Sequence, residues 1–382
     1  MSRYRELGVD VKKPGVEKFK NVVDNLFPDA FCVIHKDPTA EDNGLVLHTD
    51  SAGSKPILSY LMYRETGDPS WFKGLAQDAL AMNLNDVFCV GAQPVSFVDY
   101  VAFNTFDINR ISLLGALSDG FSECLEALRS EGVKISFAGG ETADLPDLLR
   151  TLDVSVTVFG TVPLIHVIDG SKVKPGDVII GVRSGGKARF EQAVNTGIMS
   201  NGHTLARSCL LKQGYLEKYP ELSYPGKGRL NGRYAINDIS PELGKKVGEA
   251  LLSPTRLFAP IAKAVLEEHR CKVHGIVHNT GGGQTKCLRV GKGLRYVKNH
   301  LPDPDPIFNL IQREGKVDWR EMYQVFNMGI GFEFIVDPSA VDDVVEVSRS
   351  FGVDAQVIGS IEKGRAKNTL VIETKFGKFV YD

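Results

Sequence analysis

A chain of 382 residues exceeds one typical core, so two domains are expected. Its 45 Lys and Arg against 47 Asp and Glu give a formal net charge of −2 with no sustained basic block, which argues against nucleic acid and membrane surfaces as partners. Six scattered cysteines make no CxxC pair, MSRYRELGVD lacks an apolar leader core and no apolar run is long enough to span a bilayer, so a cytoplasmic protein of a reducing compartment is expected.

Residues 14–27 place Val16, Phe19, Val22, Val23, Leu26 and Phe27 at helical spacing, which predicts a short amphipathic helix. In LVLHTDSAGSK (Leu45–Lys55), alternating residues predict a half-buried strand that stops at the small residues Ser51–Ser54. Asp50 then offers a hard oxygen anion at the strand end and Lys55 a mobile cation past the turn. That pair suits a metal–phosphate group, against the competing reading of a surface turn with ordinary charges. A helix opening near Trp71 carries GLAQDALAMNLNDV. Asp78 and Asn85, seven residues apart, share one face at about 10 Å separation, with Asp86 about 80° round from Asp78. Polar residues in so apolar a helix call for a use, although Asn85 and Asp86 also suit a helix cap.

Ser96–Phe103 alternates as a strand with Asp99 embedded in it, and Ile111–Leu128 reads as a helix. Lys134–Phe137 is expected to be a strand ending in AGGET, which sets Glu141 just beyond small residues. Leu152–Phe159 is another strand, opened by Asp153. The order predicts an α+β layer, helices on one sheet face, with the other face left for dimerisation. Asp50, Asp78, Asp86, Asp99 and Glu141 would repel one another if clustered, and Mg²⁺ removes that conflict.

HVIDGSKVKPGD near 165–177 marks a boundary, giving domains 1–165 and 166–382. Val178–Val182 is a strand leading into a run, Gly181–Lys187, that fits G-x-x-x-x-G-K. Ala188 lacks the hydroxyl a P-loop gives to Mg²⁺, so an ordinary Gly-rich loop is preferred. Ser200-Asn201-Gly202 starts a helix, as an anion site or a plain cap. His274 and His278 straddle the strand Gly275–Val277, which runs into Asn279-Thr280-Gly281-Gly282-Gly283. Beyond a helix at 257–268, residues 307–327 look helical, Gly329–Val336 a strand, Val341–Phe351 a helix, and 355–362 and 368–373 strands. Segment 215–242 shows weak periodicity.

YRELGVD, TDSAGSK, QDALAMNLNDVFCVGAQP, FVDYVA, AGGETADLP, VIDGSKVKPGDVIIGV, SNG, LLSPTRLFAP, HNTGGG and EMYQVFNMGIG occur in register over Tyr4–Val371. Together they resemble the aminoimidazole ribonucleotide synthetase (phosphoribosylformylglycinamidine cyclo-ligase) family. The resemblance implies an N-terminal α/β domain that dimerises through its sheet and a C-terminal α/β domain completing a cleft. It implies ATP and Mg²⁺ as cofactors and formylglycinamidine ribonucleotide as substrate. Carried over by residue, metal ligands would be Asp50, Asp78, Asp86 and Glu141. ATP contacts would come from Asp50, Ser54, Lys55, Asp78, Asn85, Gly139, Gly140, Glu141, Thr142, Ser200, Asn201, Gly202, Gly281, Gly282 and Gly283. Lys55, Asp99 and His278 would be catalytic: Lys55 at the phosphates, Asp99 as proton acceptor.

Three positions depart from the family pattern. Ser51 stands for a glycine, Ser54 for a threonine, and Met199 for a histidine before Ser200-Asn201-Gly202, which leaves His203, His278 and Asp99 as proton carriers. The rival readings are a related ATP-dependent enzyme acting on another oxygen, and a non-catalytic nucleotide-binding paralogue.

Overall fold

A computed structural model describes residues 2–382. Its elements run α1 (Arg3–Glu6), β1 (His35–Lys36), β2 (Asn43–Ser51), α2 (Pro56–Thr66), α3 (Gly74–Cys89), β3 (Gln93–Phe103), α4 (Arg110–Ser130), β4 (Ser136–Asp144) and β5 (Leu152–Pro163). After β6 (Val178–Arg183) come α5 (His203–Leu210), α6 (Ala259–His269), β7 (Val273–His278) and β8 (Leu294–Lys298). The chain ends with α7 (Pro306–Gly315), α8 (Trp319–Val325), β9 (Ile330–Val336), α9 (Val341–Ser350), β10 (Ala355–Lys363), β11 (Thr369–Thr374) and β12 (Gly377–Tyr381).

Two main sheets carry the molecule. The first has the order β1-β2-β5-β3-β4 and is antiparallel except for the parallel pair β3–β4. The second, β7-β9-β6-β10-β8-β11-β12, has one parallel pair, β8–β11. In β5 the residues Leu152, Val154, Val156, Val158 and Val162 are buried while their neighbours are half-buried, the period-two signature of a sheet with one packed face. The packed face meets α3 and α2, and Phe121 of α4 packs on Phe97 and Phe137.

Helix α3 explains how the halves join. Fourteen of its sixteen residues are buried, so it is enclosed on all sides rather than lying on a surface. It contacts β2 and β5 on one side and β7 and α6 of the second half on the other. Asp78, Asn83, Asn85 and Asp86 therefore sit in the junction, where each carboxylate or amide needs a partner.

Several sequence expectations change. Residues 14–27 do not make an amphipathic helix: only Val16–Asn21 is helical, as a 3₁₀ turn, and Val16, Phe19 and Val22 stay exposed because nothing packs on them. AGGET is not a strand end but lies inside β4. Residues 307–327 divide into α7 and α8, because Lys316 takes a left-handed conformation (φ 49°) and Asp318 then caps α8. Strands β8 and β12 were not foreseen.

Candidate functional site

The turn after β2 is fixed by the second half of the chain. Gly53 has φ +65°, and a Cβ there would come within 3.1 Å of the Ser200 carbonyl oxygen, so the site requires glycine. Thr204 Oγ1 donates to Ser54 Oγ at 3.0 Å. Lys55 is not the mobile cation expected from the sequence. It is fully buried and donates to Asp78 Oδ1 and to the Ser253 carbonyl, both at 2.7 Å. Burial pulls the Lys55 pKa down and the Asp78 charge opposes that. Asp78 Oδ1 also accepts from Ser200 Oγ (2.8 Å), Thr255 N (2.7 Å) and Thr255 Oγ1 (2.8 Å), while its buried Oδ2 has no partner among the described residues. Asp78 is thus a knot between the halves of the chain.

About two turns further along α3, Asp86 lies between two histidines. His278 Nδ1 is 2.6 Å from Oδ1, and His48 Nε2 is 3.4 Å from Oδ2. Burial alone would raise the Asp86 carboxyl; the His278 hydrogen bond and the charges of His278, His48 and Lys286 outweigh it and hold the pKa low. His278 is fully buried, which lowers its pKa against the pull of Asp86. Its Nε2 faces Asn85 Nδ2 at 3.3 Å, so both ring nitrogens are taken within the protein rather than offered to a substrate. Asn85 also serves the fold: Nδ2 donates to the Arg256 carbonyl (3.0 Å) and Oδ1 accepts from Phe258 N (2.8 Å), seating the start of α6.

Asp99, Asp50 and Glu141 are sorted by strand register. Val156 of β5 pairs with Asp50 on β2 and with Asp99 on β3, so the two acids share the α3 side of the sheet at about 10 Å, two strand spacings. Glu141 pairs with Tyr100, one residue out of phase, and faces the opposite side, exposed. Gly140 pairs with Asp99, and a Cβ on it would overlap Asp99 Oδ1. Partial burial raises the Asp99 pKa. Gly139 is left-handed (φ +99°), and Thr142 N donates to Glu141 Oε1 at 3.1 Å.

The loops Ser200–Gly202 and Gly281–Gly283 do come together. A Cβ on Gly281 would lie 3.4 Å from Asn201 Oδ1, and both Gly202 and Gly283 back onto Phe326. Met199 has φ +59° and is buried, its Sδ 2.9 Å from where a Cβ on Gly331 would stand. His203 gives Nε2 to the Met199 carbonyl (2.8 Å), and burial pushes its pKa down to about 3. The run Gly181–Lys187 cradles Arg256 rather than a phosphate: Nη1 and Nη2 donate to the carbonyls of Arg183, Gly185 and Gly186, and Nε and Nη2 to Glu191.

The four expected metal ligands, Asp50, Asp78, Asp86 and Glu141, are therefore not gathered. Among the described residues no three His, Cys, Asp or Glu side chains are close enough to hold a metal ion. Asp78 is spent on Lys55, Ser200 and Thr255, Asp86 on two histidines, and Glu141 faces away. Mg²⁺ nevertheless uses one or two carboxylates and completes its shell with phosphate oxygens. Asp50 fits that demand: it is exposed, and among the described residues its carboxylate accepts only the Ser51 N–H (2.8 Å).

Sequence reasoning missed Thr255, Arg256, His48, Asn83 and Lys286. Asn83 receives His48 Nδ1 (2.8 Å) and donates to the Asp50 carbonyl (3.1 Å). Lys286 donates to Thr280 Oγ1 (2.8 Å); burial lowers its pKa against the charges of Asp86 and Asp50. The only signal for it was its place three residues after the triple glycine.

Comparison with known proteins matches most of the chain. Residues 28–162 match the family model "AIR synthase related protein, N-terminal domain" and residues 174–371 match its C-terminal counterpart. Phosphoribosylformylglycinamidine cyclo-ligase of Methanocaldococcus jannaschii is 35% identical over 323 residues, 84% of this chain and 79% of that protein. The protein of the same name from Methanothermobacter thermautotrophicus is 35% identical over 321 residues, 84% of this chain and 80% of its own. Among solved structures, AaThiL complexed with AMPPCP and TMP superposes with a TM-score of 0.57 at 12% identity, covering 96% of both chains, a likeness of fold.

Proposed function

The chain belongs to the AIR synthase related family, with phosphoribosylformylglycinamidine cyclo-ligases as its relatives, and from that premise we propose how its residues divide the work. It is an ATP-dependent ligase of purine biosynthesis that closes formylglycinamidine ribonucleotide to aminoimidazole ribonucleotide. An amide oxygen is a poor leaving group, so in our reading the γ-phosphoryl of ATP first passes to the formyl oxygen. The amidine-side nitrogen then attacks that carbon, the C–O bond breaks, and the oxygen departs as part of inorganic phosphate.

Asp99 accepts the proton that the attacking nitrogen loses. Its raised pKa brings it closer to the operating pH. Asp50 holds Mg²⁺–ATP, and Mg²⁺ when bound would neutralise phosphoryl charge. The loops Ser200–Gly202 and Gly281–Gly282 offer backbone N–H groups to the nucleotide, the Gly283 N–H being taken by the Thr280 carbonyl. Lys55, Asp78, Asn85, Asp86 and His278 are positioning residues, because their polar atoms, Asp78 Oδ2 apart, are committed inside the junction. The observation that carries this division is the shared face of Asp50 and Asp99 across Val156.

We also read the protein as a cytoplasmic homodimer. Six free thiols, five of them buried, suit a reducing compartment, and the outer face of the first sheet exposes Leu47, Val98 and Tyr100.

The mechanism is tested by labelling. Substrate carrying heavy oxygen in the formyl group should deliver one labelled atom per turnover into inorganic phosphate. Light phosphate with normal ring product would overturn phosphoryl activation.

A further inference from the structure

Beside the Ser51–Ser54 turn lies a cavity of about 550 Å³, within the usual span of roughly 300–1,000 Å³ for small-molecule sites. Gly53 and Ser54 form one wall. Arg207 of α5 lies on the same helix face as Thr204, which holds Ser54. Arg150, Lys227 and Arg229 line the side formed by the otherwise uninformative 215–242 segment and the end of the β4–β5 loop. Four cations thus face one cavity.

Arg207 is the telling member. Its guanidinium makes no hydrogen bond or ion pair among the described residues, and Nη1 is buried without any partner. Arg207 as a whole is half-buried, and a guanidinium partly withdrawn from water with no anion beside it calls for one. Burial pulls its pKa down to about 10, with Tyr4 opposing. Lys227 and Arg229 likewise have no ion pair among the described residues, and Arg150 donates only to the Ser223 carbonyl. The acids at the cavity do not supply the missing charge. Glu221 is taken by Arg64 and Tyr60, and burial raises the Asp153 pKa toward the neutral form.

We propose that this cavity binds the 5′-phosphate of the ribonucleotide substrate, with Arg207 as its principal charge partner; the assignment rests on the reaction proposed above. A phosphate monoester needs cations and hydroxyl or N–H donors and no metal, which is what Arg207, the rim cations, Thr204 and Ser54 provide. A polyphosphate carried with Mg²⁺ needs carboxylate oxygens as well, and the carboxylate fit for that, Asp50, is not among the residues lining the cavity.

The test uses the full chain, with ribose 5-phosphate as probe beside the steady-state assay. Ribose 5-phosphate should raise the melting temperature and compete with the ribonucleotide substrate but not with ATP. Arg207→Met should lose that shift, raise the substrate KM at least tenfold and leave the ATP KM within twofold. Its own melting temperature should equal or exceed that of the parent, since a half-buried charge without a partner is gone. Arg229→Gln, on the exposed rim, should raise the substrate KM several-fold without touching the core. A rise in the ATP KM instead would assign the cavity to nucleotide phosphates and overturn the proposal. So would a ribose 5-phosphate shift that survives both substitutions. If the parent protein forms no ring product, the reaction reading fails while the ribose 5-phosphate titration still reports on the cavity.

Discussion

Removing one partner of the Lys55–Asp78 pair strands the other charge in a junction from which both are shielded. Breaking a buried pair in this way costs about 3–5 kcal/mol. Lys55→Met should therefore lower the urea midpoint sharply, and Lys55→Met combined with Asp78→Leu should recover part of the loss. Equal midpoints for the single variant and the parent would show that the pair does not bind the halves together. The buried histidines give a pH prediction. His203 and His278 both have folded pKa values below their unfolded one, so the unfolded chain binds protons more readily. Their stability contribution is complete above about pH 6.5 and is lost as pH falls; for His203 the loss continues to about pH 3. His203→Gln should flatten the acid limb of a melting-temperature profile, and an unchanged slope would remove His203 from the account. The acids of this site were legible in the sequence as residues out of place in an apolar helix. Their partners were not: His278 lies 192 positions from Asp86, and nothing local in HGIVHNTGGG reveals which acid it meets.

The glycine loop behaves as two different pieces. Gly283 has φ +51° and a Cβ there would stand 2.3 Å from the Phe326 carbonyl, whereas a Cβ on Gly281 meets nothing closer than Asn201 Oδ1 at 3.4 Å. Gly283→Ala should lower the melting temperature by several degrees, because loop and α8 must part. Gly281→Ala should leave stability nearly unchanged and raise the ATP KM if that loop faces the nucleotide. Equal effects on stability would show the two positions to be equivalent. Periodicity gave most long elements because burial on one face writes itself into i+2 or i+3/i+4 spacing. It misled at Val16–Leu26, where the apolar side chains stay exposed and only Phe27 packs on the core. It missed β8, whose Lys298 is fully buried against Glu333 at 2.5 Å, so a core strand reads as polar. Glu141 was set at a strand end because AGGET looks like a turn, yet β4 runs through it as an exposed strand beside β3.

At the scale of the molecule, the first sheet is half covered. Its inner face carries Val46, Val154, Val156 and Val158 against α3, and its outer face presents Leu47, Val98 and Tyr100 to solvent. Contiguous exposed apolar side chains on a sheet face mark an association surface, and a two-fold dimer makes each protomer cover the other's patch. Glu141 faces the same side, pairing with Tyr100 in register, so an acid of the family motif stands at that surface rather than beside Asp50. The expected assembly therefore has a mechanistic consequence: pairing two copies shields the patch and brings each Glu141 to the interface. Val98→Glu places a charge at the centre of the patch, on a side chain that no core residue depends on. Sedimentation equilibrium should show the parent at twice the 41.8 kDa chain mass and the variant at the chain mass. Circular dichroism should be unchanged, since the inner face is untouched. If Glu141 acts through the interface, the monomeric variant should also lose ring closure. A fully active monomer would leave Glu141 without a part in turnover, and a parent that sediments as a monomer would refute the assembly itself.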